Sequence, residues 1–281
     1  MVSITYFAPD PALRAYVSSY YWFESNLPVF SDLMRAELAQ VRVITVGSAT
    51  NHYCNGRVRP SAGAMLQGPT CGPVRYLASG PLHLFGIGLL PRGWAALIGE
   101  AADAFADDTV PLESVVGAAA SALLNAMSEA SNDAERVAAA NQFLLGRIND
   151  ARATPLWFTT LTDDWLTGSP NPDVDALVAA SGMSARSVER LAKRIYGASP
   201  KLLARKYRAL HAAVQIGNNE VEGWADIAVG AFYDQAHFIR EFKTFVGLTP
   251  SRFVVEAAPV SRLTIARKQM LPDLPKLALY S

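Results

Sequence analysis

Cysteine and histidine are scarce in this 281-residue chain, which has two cysteines and four histidines. Cys54 and Cys71 are too few for a disulfide framework, and a structural zinc usually needs four ligands. The scarcity therefore predicts a reduced protein without a metal site.

Long apolar runs are also missing. The best apolar stretch, residues 82–90, is about half the length needed to cross a bilayer and contains His83 and two glycines. The N-terminus lacks the basic start and apolar run of a signal peptide. We therefore expect a cytoplasmic protein with no membrane contact.

The signatures of common catalytic sites are absent from the sequence. There is no glycine-rich phosphate loop and no HExxH zinc motif. The carboxylate pairs Asp107-Asp108 and Asp163-Asp164 are adjacent in sequence, and adjacent residues do not share a helix face, so neither pair suits acid-base catalysis. We therefore predict no catalytic residue and no cofactor, and expect that the protein is not an enzyme.

Charge is balanced overall but unevenly distributed. Residues 1–170 carry 10 Lys and Arg against 15 Asp and Glu, whereas residues 171–281 carry 15 against 10. A basic second part predicts that a polyanion meets that part of the chain. The length and the 51% hydrophobic content are those of a chain with two domains, each with its own core.

Residues 1–110 have the pattern of short strands separated by Gly and Pro. Residues 40–47 and 81–90 carry β-branched and aromatic residues between such boundaries, and weaker candidates lie at 51–60, 62–67 and 73–78. Pro91 is expected to open a helix that closes near Gly99. The first part is therefore predicted to be a small β-sheet or barrel.

Four side chains in this β-rich part are candidates for contacting a small molecule: Trp22, His52, His83 and Phe85. Gly86 and Gly88 lie on the opposite face of their strand from His83 and Phe85, and their missing side chains leave room for a ligand. The alternative for each is structural, because half-buried histidines, core aromatics and glycines in close backbone packing are common.

From Thr109 the pattern becomes helical. Thr109 is expected to cap a helix that runs to Met127, and a second helix is expected from about 132 to 148. Their low charge suits packing on the first domain or on another copy of the chain, and the first domain is the simpler expectation.

The second part of the chain contains one motif twice. Residues 184–203, SARSVERLAKRIYGASPKLL, align with residues 234–253, DQAHFIREFKTFVGLTPSRF, and both copies contain Gly-x-[Ser/Thr]-Pro. Apolar residues fall at helical spacing in each copy, which predicts a buried stripe. A helix from about 201 to 216 would join the copies, with Arg205, Lys206 and Arg208 outside. The pattern predicts two helix-turn-helix units.

The outward residues of the two repeated helices suit contact with DNA. An α-helix fits the major groove, where Arg pairs with guanine, Gln with adenine and Glu with cytosine. Residues placed to face bases are Arg186, Glu189 and Arg190 in the first copy and Gln235, His237 and Arg240 in the second. Farther along the helices, Lys193, Arg194 and Lys243 suit phosphates, which fix position without reading sequence.

Residues 154–256 resemble the DNA-binding domain of the AraC/XylS family of transcription regulators. The resemblance rests on Ser184, Val188-Glu189-Arg190 and Gly197-Ala198-Ser199-Pro200, and on the more specific block of residues 234–250 with Gly247-Leu248-Thr249-Pro250. It implies two helix-turn-helix units that insert reader helices into successive major-groove segments of double-stranded DNA. By motif position it adds Ala236 to the base-facing residues.

Two residues depart from the family pattern. The second unit is one residue short between residues 224–227 and Asp234, and Ala231 stands where the turn glycine is usual, so the family pattern does not fix how the second reader helix is aimed. Ala192 replaces a common aromatic anchor, which predicts looser packing of the first unit.

The first part resembles, less specifically, the small β-rich sensor domains of some AraC/XylS members. The resemblance rests on residues 16–22 and 85–94. It implies a small-molecule effector or a homodimer, and the family resemblance extends the partners to RNA polymerase, as in bacterial regulators. A protein-binding adaptor is an alternative that uses the same paired helices, and a DNA-modifying enzyme is disfavoured because its cysteine cluster is missing.

The predicted fold is thus α+β with two domains. The sensor or dimerisation domain spans 1–150, the all-α DNA-binding domain 153–256, and a solvated C-terminal tail 257–281.

Overall fold

The computed structural model describes residues 2–148, 156–218, 232–256, 264, 271 and 274–280. It shows a β-sheet domain followed by a helical domain, which confirms the predicted α+β architecture. The predicted boundary near 149–153 and the first helix of the second unit, with Ala231, lie outside these residues. The domain limits therefore stay predictions.

The sheet domain contains eight antiparallel strands. Along the sheet the order is β1-β2-β7-β4-β5-β8, and β6 pairs with both β3 and β4. The predicted strands at 40–47 and 81–90 are confirmed, and the first of them is longer than expected. The strands are β1 Val2–Phe7, β2 Val17–Ser25, β3 Val29–Met34, β4 Gln40–Tyr53, β5 Val58–Gln67, β6 Val74–Ser79, β7 Leu82–Leu89 and β8 Thr109–Pro111.

Alternation along the strands gives the sheet two different faces. Val41, Val43 and Phe85 are buried in a core that also contains Trp94 and Leu123 from the helices that follow the strands. The neighbouring residues on β4 and β7 point the other way, into a second apolar cluster that contains Ile44 and Leu84.

The helices of the first part cover one face of the sheet, as the sequence predicted. The helices are α1 Pro91–Leu97, α2 Glu113–Val116, α3 Ala119–Glu129 and α4 Asp133–Leu145. The prediction of one helix capped by Thr109 is wrong. Thr109 lies in β8, paired with Gln67, and Gly117 with φ 64° separates α2 from α3.

The helical domain contains the two predicted repeats. Its helices are α5 Leu156–Gly168, α6 Val174–Ser181, α7 Ala185–Tyr196, α8 Pro200–Gly217, α9 Gln235–Val246 and α10 Pro250–Glu256. We call α7 and α9 the first and second reader helices and α8 the connecting helix. The apolar stripe that the sequence predicts in each copy is buried. It contains Val188, Ala192 and Ile195 in the first copy and Phe238, Phe242 and Phe245 in the second. Burying each phenylalanine, rather than leaving it exposed, stabilises the fold by about 1.5–3 kcal/mol.

The C-terminal tail was predicted to be a solvated arm, and this is wrong for its described residues. Leu277 and Ala278, in the short helix α11 Lys276–Leu279, are buried in the core of the first helix-turn-helix unit. The Tyr280 ring stacks on His211 of the connecting helix with the ring centroids 3.8 Å apart. Apolar side chains at 274, 277 and 278 explain why the tail packs although its first part is basic.

Candidate nucleic-acid interface and sensor cavity

The first reader helix presents a basic face to solvent. Ser184 caps it by accepting a hydrogen bond from the Ser187 N–H. The predicted base-facing residues Arg186, Glu189 and Arg190 are exposed, as are Lys193 and Arg194. Lys193 forms an ion pair with Glu189 at 2.7 Å, but both side chains are half exposed and such a pair stabilises little. The helix is therefore free to offer its long side chains to a ligand.

The second reader helix has the same construction. Asp234 caps it through the His237 N–H at 2.6 Å. Gln235, Ala236, Arg240 and Lys243 are exposed and His237 is half-buried.

The orientation of the second reader helix is fixed from behind. Arg205 of the connecting helix donates to both oxygens of the buried Glu241, at 2.9 and 2.8 Å. A bidentate pair of this kind has a defined geometry. Burial raises the pKa of Glu241, but the hydrogen bond and the charge of Arg205 lower it by more than that, so the net shift is downward.

The turns that end the two reader helices both contact the sensor domain. Gly197 lies against Pro69, and Gly247 lies against Leu33 and Pro73. The Ala36 N–H also donates to the Phe245 carbonyl oxygen at 2.8 Å. One surface of the sensor domain therefore touches equivalent points of both repeats.

Replacing Gly197 tests this contact. Gly197 has φ 77°, and an added methyl group would overlap the Pro69 ring. Gly182, which ends α6, has φ 66° but open space around it. We expect Gly182→Ala to cost about 1 kcal/mol of unfolding free energy from backbone strain, and Gly197→Ala about 2–3 kcal/mol because a clash is added. Urea unfolding checks this, and equal losses would contradict the packing described.

Lys206 was predicted to lie outside the connecting helix, and this is wrong. The side chain is buried, and its Nζ donates to the carbonyl oxygens of Glu37 at 2.9 Å and Thr70 at 2.8 Å. Burial lowers the pKa of Lys206, and nearby Cys71, Asp107 and Glu37 partly oppose that shift. A cation from the helix between the two units thus joins two loops of the sensor domain.

The sensor domain encloses a cavity on the sheet face that the helices do not cover. It contains about 700 Å³ of space, including the part open to solvent. Strand pairing arranges its wall in rows. One row contains Ile4, Phe23, Leu84 and Ile44. The next contains Tyr6, Tyr21 and Arg42, and Gly86, which does not line the cavity, pairs with both Tyr21 and Arg42. The cavity therefore has an apolar row beside a polar one.

A hydrogen-bond network forms the polar part of the cavity wall. Arg42 donates from Nε to Gln40 Oε1 at 3.1 Å and from Nη2 to Glu37 Oε2 at 3.3 Å. Its guanidinium carbon lies 4.5 Å from the centre of the Tyr76 ring. Tyr21 donates to Gln40 Oε1 at 2.6 Å. The sequence analysis missed these residues, and its only signal was the alternation of Gln40 and Arg42 with Val41 and Val43.

None of the four predicted ligand residues lines this cavity. Tyr21, Asn51, Leu82 and Leu84 line it, so their strand neighbours point to the other face. Trp22 and Phe85 are buried in the helix-covered core, and Arg136 lies over the Trp22 ring at 3.9 Å. His83 pairs with Asn26, and His52 is half-buried. Ligand contact by these four residues stays a prediction.

The glycines of β7 make room for protein rather than for a ligand. A methyl group on Gly86 would overlap the Tyr21 ring, and one on Gly88 would overlap the Ser18 hydroxyl. The structural alternative thus explains both positions.

The two cysteines are held as thiols. Burial is the main cause that raises the pKa of Cys71 to about 11 and that of Cys54 to about 12, and Asp107 raises both further. Thiolates are the reactive form of cysteine. The surroundings therefore favour an unreactive thiol at Cys71, whereas Cys54 is exposed to solvent.

Two kinds of feature are absent from the described part of the chain, a metal-binding cluster and a membrane-spanning helix. Its residues contain no group of three His, Cys, Asp or Glu side chains that could hold a metal ion. Within the same residues, no helix combines the length and the apolar character of a membrane span.

Two family models match the sequence. One, described as a helix-turn-helix domain, matches residues 177–254. The other, described as a domain of unknown function, DUF6597, matches residues 5–111. A search of curated proteins found no match.

Several solved structures align with this chain. ToxT from Vibrio cholerae O395 is 10% identical with a TM-score of 0.46, and the alignment covers 83% of this chain and 99% of that one. An unsaturated fatty acid bound form of ToxT from Vibrio cholerae strain SCE256 is 9% identical with a TM-score of 0.47, over 92% and 95%. A cupin superfamily protein from Desulfitobacterium hafniense DCB-2 is 13% identical with a TM-score of 0.25, over 32% and 78%.

Proposed function

Starting from its AraC-type helix-turn-helix domain, we propose that this chain is a sequence-specific transcription regulator that reads two successive major-groove segments and is controlled by a small molecule in the sensor cavity. The observation that carries the DNA-reading part is the repeated helix. In both copies an apolar stripe is buried and the opposite face exposes long polar side chains. Such a helix fits the major groove and can contact base edges.

Selection from random duplex DNA tests the proposal. We expect a common motif to be enriched at moderate salt, with log affinity falling by about 0.9 for each phosphate neutralised per log unit of salt. Enrichment of no motif would overturn the proposal.

Single substitutions separate the reading of bases from the positioning on phosphates. Arg190→Ala should cost about 1–3 kcal/mol of binding free energy and relax the preference at one base pair. Lys193→Ala should weaken binding to all sequences alike and reduce the salt slope by about one. Arg14→Ala removes an exposed arginine from the sensor domain and is the control. Loss of specificity with Lys193→Ala but not Arg190→Ala would contradict the assigned roles.

Control by a small molecule is supported by the position of Glu37. Its side chain lines the cavity, and its carbonyl oxygen accepts the hydrogen bond from Lys206. The N–H of its neighbour, Ala36, donates to the second reader helix. A ligand that moves Glu37 would therefore disturb contacts to the connecting helix and to the second reader helix. RNA polymerase and a second copy of the chain stay predicted partners.

A further inference from the structure

We infer that the cavity binds a small uncharged molecule with an amide-type group, in which a hydrogen-bond acceptor and donor stand side by side, attached to an apolar body of about the size of a phenyl ring. The inference rests on the proposed function only in taking the cavity as the effector site. The chemistry of the ligand follows from the cavity wall itself.

The polar part of the wall offers a donor next to an acceptor. Among the described residues, the Glu37 carboxylate accepts its hydrogen bond from Arg42 at Oε2, and the Tyr76 hydroxyl, which donates to Gln67 Oε1 at 2.9 Å, also lies on the Oε2 side at 3.4 Å. Those of the Arg42 guanidinium use Nε and Nη2. Since a guanidinium has five N–H donors and a carboxylate two acceptor oxygens, Nη1 and Oε1 are left for a ligand. A carbonyl oxygen next to an N–H satisfies both.

A charged ligand group fits this wall less well. A carboxylate would accept from Arg42 but would face the negative charge of Glu37, which also lines the cavity. An ammonium group would face the Arg42 guanidinium. Glu37 and Arg42 keep only 6% and 11% of their side chains exposed, so water screens these repulsions weakly. The paired charges thus favour a neutral partner that has both a donor and an acceptor.

The apolar part of the wall sets the other end of the ligand. Phe23, Phe30, Met34, Leu82 and Leu84 line it and belong to one buried cluster. Leu84 is directly beside Phe23, one row from Arg42, so an apolar body can contact it while its attached amide reaches Glu37.

Calorimetry on the full chain with three matched probes tests the inference: 3-phenylpropanamide, 3-phenylpropanoate and 3-phenylpropylamine. They share the apolar body and differ in the charge of the polar group. We expect the amide to bind about tenfold or more tightly than either charged probe, because each of those meets a like charge in the cavity. Equal or tighter binding of the carboxylate or the amine would overturn the inference, and so would binding of none.

Glu37→Gln gives a readout that a merely structural role would not move. Without the negative charge, the carboxylate probe meets Arg42 and the new amide donors, so we expect the preference for 3-phenylpropanamide over 3-phenylpropanoate to fall by about tenfold. Glu24→Gln, at a partly exposed position outside the cavity wall, is the matched control and should keep the preference. An unchanged preference in Glu37→Gln would overturn the inference. If that variant does not fold, the three probes on the unmodified chain still decide it.

This test is independent of DNA binding. If the chain prefers the amide probe but selects no DNA motif, the proposed regulator function is overturned and the inferred class of ligand still holds. A chain that selects a motif but binds the charged probes better would do the reverse.

Discussion

The unfolding free energy of Asp163→Asn, relative to that of the unmodified protein, is expected to rise by about 3 kcal/mol between pH 4 and pH 8. Burial raises the pKa of Asp163 to about 7, the hydrogen bond from Tyr196 opposes this shift, and Asp164 adds to it. An acid whose pKa is raised by folding stabilises the fold below its unfolded value. That stability is lost as the pH rises from about 4 through 7. Each pKa unit corresponds to about 1.36 kcal/mol, and the remaining solvent contact of Asp163 reduces the total.

The contacts of Tyr196 explain why the protonated acid fits. The Tyr196 hydroxyl lies 2.6 Å from Asp163 Oδ1 and 3.2 Å from the Thr159 carbonyl oxygen. A hydroxyl has one proton to donate. When Asp163 is protonated it donates to Tyr196, which then donates to Thr159, and both contacts are satisfied. Ionised Asp163 instead accepts the hydrogen bond of the Tyr196 hydroxyl, which then no longer donates to the Thr159 carbonyl oxygen.

Urea unfolding of the two proteins across this pH range measures the effect. Asp164→Asn, an exposed neighbour on the same helix, is the matched control and should show no comparable gain. A stability difference for Asp163→Asn that does not change with pH would contradict the prediction.

His211 is expected to mask part of the Asp163 effect in the unmodified protein. Burial lowers the pKa of His211 to about 4, and its hydrogen bond to the Leu166 carbonyl oxygen only partly opposes that. A base whose pKa is lowered by folding makes stability rise between about pH 4 and 6.5. Between pH 4 and 6.5, Asp163 makes the unfolding free energy fall with pH and His211 makes it rise. The unfolding free energy of the unmodified protein should therefore change little with pH in that range. Asp163→Asn should uncover the rising part, and an unmodified profile that already rises steeply would count against this account.

The reader helices could be predicted from the sequence because their signal is local. An apolar stripe at helical spacing, a capping residue and a glycine at the end of the helix all lie within about twenty residues, and the stripe occurs twice. Ala192 shows the limit of such reasoning. Its small side chain suggests looser packing; it is fully buried, and the tightness of the packing around it stays a prediction.

The cavity could not be predicted, because it depends on which strands become neighbours. The alternation of Gln40 and Arg42 with Val41 and Val43 shows that β4 has two faces but not which one encloses space. Tyr76 is distant in sequence from Arg42, and its ring comes next to the Arg42 guanidinium because β6 pairs with β4. The predicted ligand residues lie on the opposite face of their strands, a difference of one position that side-chain type does not reveal.

Lys206→Met should lower the unfolding free energy by about 3 kcal/mol and loosen the contact between the two domains. Sequence reasoning places a lysine beside two arginines on the outer face of a helix, but here that face meets another domain. Methionine has a similar length and cannot donate, so the carbonyl oxygens of Glu37 and Thr70 each lose a charged donor, and one such bond is worth about 1.5–3 kcal/mol. Thr70 also donates its N–H to Glu37, so the pair of loops stays joined but loses its tie to the connecting helix.

Lys201→Met is the matched control for this tie, because Lys201 is exposed on the same helix. We expect Lys206→Met to be less stable than Lys201→Met in urea and to have a larger radius of gyration by X-ray scattering, since only the former weakens the contact between the helical domain and the sensor domain. Equal stability and equal size would show that the tie does not hold the domains together. A loss of stability without a change in size would assign Lys206 to packing alone. The effect of a ligand at Glu37 would then have to reach the second reader helix through the Ala36–Phe245 hydrogen bond instead.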